Sequence, residues 1–278
     1  MAGSTRKGVW RSLSPARKFI NEMMYFAQQV PLIPVARTMH LAEVAAVRAR
    51  SRPRPSWTAV FMKAYGLVCQ MEPLLRLAYI RWPWPHLYEH PYSVCGIPIE
   101  REYQGERIVL ATQIREPERQ PLAQLEGHLE RYKTTPIDNI GYFRMALRVG
   151  RMPKLLRRFL WWSTLDISGY KRAKRLGTFT ISSYGQLGAE QLRPISPLTT
   201  LLTFGPISPT GEVVVKIIYD HRVLDGANVA RFLAELEQTL GSEILSELGS
   251  MASSAHALQA GLAGTGPEGL GGNAQAAA

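Results

Sequence analysis

Cysteine is nearly absent from this chain: Cys69 and Cys95 are the only two in 278 residues. With no CxxC spacing between them, they exclude a thiolate metal cluster and a disulfide framework, and they read as reduced thiols in a cytoplasm. Long apolar runs are missing as well. No stretch approaches the ~18–20 uninterrupted apolar residues of a membrane-crossing helix. The basic opening, MAGSTRKGVWRSLSPARK, leads into no apolar segment of a secretory signal. A cytoplasmic protein is expected, either soluble or peripheral to the inner face of a membrane. Acidic residues are outnumbered, 22 against 33 Lys and Arg, for a formal net charge of +11. That excess favours an anionic partner: nucleic acid, a membrane surface or a phosphate-bearing ligand. Hydrophobic residues make up 46% and charged residues 20%. This is the composition of a chain that buries a core, not of a disordered or collagen-like one.

Local signals divide the chain into three parts. Residues 1–11 are polar and basic and read as flexible; 12–250 read as one α+β domain; 251–278 are Ala/Gly-rich and read as a disordered tail. Within the body, Ser14 and Pro15 suit the cap and first position of a helix running through Phe19, Met23 and Phe26. VARTMHL reads as a strand and LAEVAAVRAR as a short helix. A Pro-rich linker, Arg50 to Ser56, precedes an apolar helix from Trp57 to Met71. YSVCGIPIERE and RIVLATQIRE flank the turn-like YQGE and predict a hairpin. PLAQLEGHLERYK predicts an amphipathic helix, followed by strands at GTFTISS, TTLLTFGPI and EVVVKIIYD. A helix from about Ala227 to Leu240, with a short helix after it, closes the body.

The stretch GEVVVKIIYDHRVLDGANVARFLAELEQTL carries the chemistry. A Val/Ile-rich strand ends at Asp220 and His221; Asp225 and Gly226 follow, and a helix starts at once. A strand end beside a helix start is a rigid mount for a side chain. Imidazole, with an ordinary pKa of about 6.5, can take a proton from an attacking thiol, hydroxyl or amine. Such general-base work is worth ~10²–10⁴-fold in rate. Taken alone, a histidine in this place is more often structural, and Asp225-Gly226 would be only a helix cap. The whole pattern changes that balance.

HxxxDG at a strand–helix junction is the signature of the chloramphenicol acetyltransferase-like superfamily, and DHRVLDGANVARFL resembles the catalytic domain of the 2-oxoacid dehydrogenase (dihydrolipoamide) acyltransferases. GTFTISSYGQLGAEQLRPISP (Gly177 to Pro197) and LSPARKFINEMMYFAQQVPLIPV resemble two further segments of that family, in the same order. The resemblance implies a chloramphenicol acetyltransferase-like mixed β-sheet with flanking helices, assembled as a homotrimer with active sites between subunits. It implies catalytic roles for His221 as base, for Ser182 as the hydroxyl facing the oxyanion, and for Asp225 as the residue that fixes the histidine loop by pairing with Arg17. Gly226 would allow close packing at the helix start. It also implies an acyl-CoA thioester as substrate, which gives part of the positive charge a function, and no permanently bound cofactor.

Departures from the family pattern bear on the substrate. No lipoyl domain or binding module is recognised, so no covalent lipoyl group is expected on this chain. The main expectation is therefore a stand-alone acyltransferase moving an acyl group from acyl-CoA to a thiol, hydroxyl or amine. The alternatives are a dihydrolipoamide acyltransferase served by a lipoyl domain in trans, and a catalytically silent trimeric scaffold. RWPWPHLYEHPYSVCGIPIERE is unusual: Trp82, Trp84, His86, Tyr88 and His90 line an acceptor pocket or form a Pro-stiffened surface loop. The prolines around His86 and His90 argue against a helical metal pair. Finally, 151–175 mixes Lys154, Arg157 and Arg158 with Leu155, Leu156, Phe159, Leu160, Trp161 and Trp162. Such a segment suits peripheral membrane contact or packing between subunits. Nucleic acid is a weaker use of the charge, since no nucleic-acid module is visible.

Overall fold

Ser14 does cap the first helix: in the computed structural model, which describes residues 8–263, its hydroxyl accepts the Arg17 N–H at 3.2 Å. Helix α1 (Pro15–Ala27) leads into strand β1 (Leu32–His40), then α2 (Ala42–Arg50) and α3 (Trp57–Met71). The short strands β2 (Leu77–Ile80) and β3 (His86–Glu89) pair antiparallel as a separate ribbon. The expected hairpin follows as β4 (Val94–Tyr103) and β5 (Glu106–Arg115). Its turn residues Gln104 and Gly105 have φ of 53° and 75°, the paired left-handed conformation that matches strand twist in a two-residue hairpin loop.

Four helices come next: α4 (Leu122–Thr134), α5 (Gly141–Arg151), α6 (Lys154–Trp162) and α7 (Gly169–Leu176), with a π turn, Ser163–Ile167, between the last two. The chain closes through β6 (Phe179–Ser182), β7 (Thr200–Phe204), β8 (Glu212–Asp220), α8 (Gly226–Thr239) and α9 (Leu245–Ala263). Helix therefore continues beyond residue 250, where the sequence reading placed the start of a disordered tail; residues 264–278 of that stretch lie outside the described residues, as do 1–7 of the basic opening.

Six strands form one mixed sheet in the order β1-β8-β7-β6-β4-β5. Only the β7–β6 and β6–β4 neighbours run parallel. Alternation along the strands divides the side chains between two faces. Val213, Val215, Ile217 and Tyr219 of β8 enter the main core, with Leu202 and Phe204 of β7 and Phe179 and Ile181 of β6. Helix α3 fills that core: Phe61 stacks on Phe204 at 4.3 Å between ring centres, and Tyr65 meets Phe179 edge-on at 4.8 Å. Leu32, Leu201 and Ile218 make a smaller cluster on the other face. Lys216 points that way too: its ammonium pairs with Glu190 and donates to the Gln191 carbonyl. The 183–198 segment thereby covers the second face.

Candidate active site

β8 is apolar almost throughout because it is a central strand covered on both faces, and it delivers Asp220 and His221 to the rim of the sheet. The His221 N–H donates to the carbonyl of Pro31 at 3.1 Å, which ties the turn after β8 to the entry of β1. The ring lies 5.6 Å from that of Tyr219 and stays 44% exposed, with Nδ1 3.6 Å from a carboxylate oxygen of Asp225. Nε2 is thus the nitrogen turned away from Asp225. Asp225 caps the position before α8 but its side chain accepts no cap hydrogen bond. Its carboxylate is 80% exposed and faces the imidazole instead. A Cβ on Gly226 would come within 3.3 Å of the Tyr219 hydroxyl, so glycine lets the helix start close against the end of β8.

The expected pairing of Arg17 with Asp225 does not occur within the chain. Arg17 Nε donates to Glu106 at 2.8 Å, and its terminal nitrogen reaches the Arg107 carbonyl at 3.5 Å. The reason is topological. Helix α1 packs on α5 and β5, and β5 lies four strands from β8, about 19 Å across the sheet. Hydrogen bonds from Ser14 and then Arg17 hold the Glu106 carboxyl below its ordinary range.

What secures the histidine loop is a buried clamp that the sequence reading missed. Asp220 is fully buried. It accepts the Arg222 N–H at 3.0 Å and takes the Arg222 guanidinium on both oxygens, at 2.9 and 2.7 Å. Arg222 in turn stacks over Tyr79 at 4.3 Å. Buried Arg172, from α7, donates to the carbonyls of Tyr79 and Pro197 at 2.9 and 2.7 Å. Burial pulls its pKa down to about 10, opposed by Asp220. Asp166 lies nearby, 3.9 Å from Arg81, its carboxyl pushed up by burial. The DHR string held the first half of this clamp, an Asp and an Arg flanking the histidine; nothing local marks Arg172.

Ser182 ends β6, half-buried. The register runs Ser182 to Thr203 and Thr203 to Lys216, while His221 lies five residues further along β8. At about 3.3 Å per residue the two are about 17 Å apart along the strands alone. His221 and Ser182 of one chain therefore do not meet. The aromatic-histidine segment forms the β2–β3 ribbon. Trp82 and Trp84 project from its tip, whereas His90 is buried, its Nδ1 2.8 Å from the Tyr92 carbonyl and its pKa lowered by desolvation. These side chains do not converge on one pocket. Among the described residues, no three His, Cys, Asp or Glu side chains group to hold a metal, and no helix is long and apolar enough to cross a membrane.

The six-stranded mixed sheet, with His221 on its rim and Asp225 at the following helix start, defines a fold that this chain shares with solved acetyltransferase cores. A solved dihydrolipoamide acetyltransferase of Azotobacter vinelandii, studied for the catalytic role of a serine, a histidine and an asparagine, is 18% identical and superposes with a TM-score of 0.62, covering 88% of this chain and 95% of that one. A probable dihydrolipoamide acetyltransferase of Listeria monocytogenes gives 0.58 at 18% identity, over 86% and 96%. Residues 173–246, from within α7 to the start of α9, match the family model of the 2-oxoacid dehydrogenases acyltransferase (catalytic domain). The dihydrolipoyllysine-residue acetyltransferase component of the pyruvate dehydrogenase complex from Mycoplasma capricolum is 35% identical over 121 residues, 39% of this chain and 26% of that protein's length.

Proposed function

We propose that this chain is the catalytic unit of a dihydrolipoamide-type acyltransferase that exchanges an acyl group between a dihydrolipoyl thiol, carried in trans, and coenzyme A. The observation that carries the reading is the DHRVLDG unit set on the rim of this sheet within the matched residues 173–246. The relatives favour it over transfer from acyl-CoA to an unrelated small acceptor, which was the main expectation from sequence.

In this mechanism Nε2 of His221 takes the proton of the incoming thiol, and the thiolate adds to the thioester carbonyl. The tetrahedral oxyanion accepts a hydrogen bond from the Ser182 hydroxyl. Collapse then expels the second thiolate, which receives the proton from the imidazolium. Asp225 faces the imidazolium while it is charged, and the Asp220–Arg222 clamp holds the loop. Because Ser182 and His221 lie far apart within one chain, the site joins His221 of one subunit to Ser182 of the next, in a closed ring of copies such as a trimer.

The test is formation of acyl-dihydrolipoamide from a panel of acyl-CoAs, separated chromatographically, with wild type and His221→Ala. His221-dependent product supports the reading. A folded, oligomeric protein that makes none from any donor overturns it in favour of a binding scaffold.

A further inference from the structure

Helix α6 has two apolar faces, and only one is used. Inward, Trp161 packs with Phe26 and Leu165 and meets Phe19 at 5.0 Å. Buried Glu22 of α1 takes Arg158 at 2.8 Å and holds Arg157 at 3.8 Å. Outward, Leu155 and Phe159 are 86% and 57% exposed, one helical turn apart on the same side. The outer ridge does not stop at the helix. Phe159 lies 5.9 Å from Trp162, which is half-buried against the inner cluster, and Trp162 lies 6.3 Å from Trp82 at the tip of the β2–β3 ribbon. The Trp82 N–H donates to the Asp166 carbonyl at 2.8 Å, which pins the tip beside α6. Trp84, two residues on at the same tip, is 68% exposed. None of these side chains belongs to the clamp or the histidine loop.

The surroundings of the ridge carry one sign of charge. From 141 to 176 the only acid is Asp166, against ten lysines and arginines, of which Arg157 and Arg158 are paired with Glu22 and Arg172 is buried. Asp166 lies beside Arg81 and is half-buried. Lys154 adjoins Leu155, and Lys171 and Lys174 are exposed on α7. Indoles, a phenyl ring and a leucine on a segment that also exposes Lys154, Lys171, Lys174 and Arg175 match an anionic lipid–water interface. Rings of this kind sit at headgroup depth, while the cations meet the lipid phosphates. A neighbouring protein would need a correspondingly acidic surface.

We propose that the ridge Leu155–Phe159–Trp162–Trp82–Trp84 docks this protein on an anionic bilayer surface, without any segment crossing it. The proposal does not depend on the catalytic reading, since binding is measured without turnover.

The experiment is sedimentation of the full chain with vesicles of phosphatidylcholine containing a minority of phosphatidylglycerol, against phosphatidylcholine alone, at low and high salt. Binding only to the anionic vesicles, weakened by salt, is expected. The double variant Leu155→Ser/Phe159→Ser should bind about tenfold more weakly or worse, because it removes two apolar side chains from the buried area. Indole emission of the wild type should also be quenched by brominated lipid, a readout that needs no variant. Failure to sediment, absence of quenching, or undiminished binding by a folded double variant overturns the proposal. So does loss of subunit assembly in that variant, which would make the ridge a contact between copies.

Discussion

His221 is held from three directions, and each contact has a separable consequence. Its backbone is tied to Pro31, its ring faces Asp225, and the residues on either side of it form the buried Asp220–Arg222 pair. His221→Ala removes the proposed base from a partly exposed position, so folding should survive while the acyl-transfer rate falls by ~10² or more. A variant that keeps over a tenth of the rate would end the assignment. Asp220→Asn is a different kind of change. It leaves Arg222 and Arg172 without the buried carboxylate that offsets them, at a cost of about 3–5 kcal/mol. The thermal midpoint should drop by on the order of 10 °C, and turnover should fall with it at temperatures where the variant is still folded. A midpoint equal to that of the wild type would show that the clamp carries no stability.

Elements, unlike side-chain partners, were largely legible in the sequence. The α3 boundaries read as Trp57 and Met71 are those observed, because Ser56 caps one end and Pro73 follows the other. The β4–β5 hairpin was legible because alternating apolar residues flank a turn with glycine at its second centre. Those signals are local. Partners of charged groups are set by long-range placement: Arg17 meets Glu106 eighty-nine positions away, and Arg172 is buried between Tyr79 of β2 and the Pro197 segment. Helix α6 was ambiguous for a related reason. Leu, Phe and Trp occupy several of its sides, so periodicity alone could not say which side faces α1. Close packing of elements also makes a prediction at Gly150. A Cβ there would lie 1.9 Å from the Pro15 carbonyl oxygen, whereas one on Gly127 of α4 would meet nothing within 4 Å. Gly150→Ala must push α5 off α1, costing about 1–3 kcal/mol, while Gly127→Ala should gain about 0.4–1 kcal/mol by reducing chain freedom in the unfolded state. Chemical denaturation of the two variants should therefore shift in opposite directions.

At the scale of the whole molecule, the sheet itself decides how many chains make one site. β6 and β8 are separated by a single strand, yet the ends that carry Ser182 and His221 lie at opposite rims. No loop movement of a few ångströms closes a gap of about 17 Å along a hydrogen-bonded sheet. If Ser182 and His221 serve one reaction, they come from different copies. A mixing experiment reads this directly. Ser182→Ala and His221→Ala should each be nearly inactive as pure assemblies. Dissociated, combined in equal amounts and reassembled, they form rings in which some sites join an intact His221 from one chain to an intact Ser182 from the next. In a ring where each site takes one group from each of two neighbours, random assembly restores about a quarter of the wild-type sites. Recovery of activity near that fraction would establish a site shared between copies. Activity that stays at the level of the two pure variants would mean that Ser182 and His221 do not complete one another across an interface, and the oxyanion partner would then have to be found among groups near His221 in the same chain.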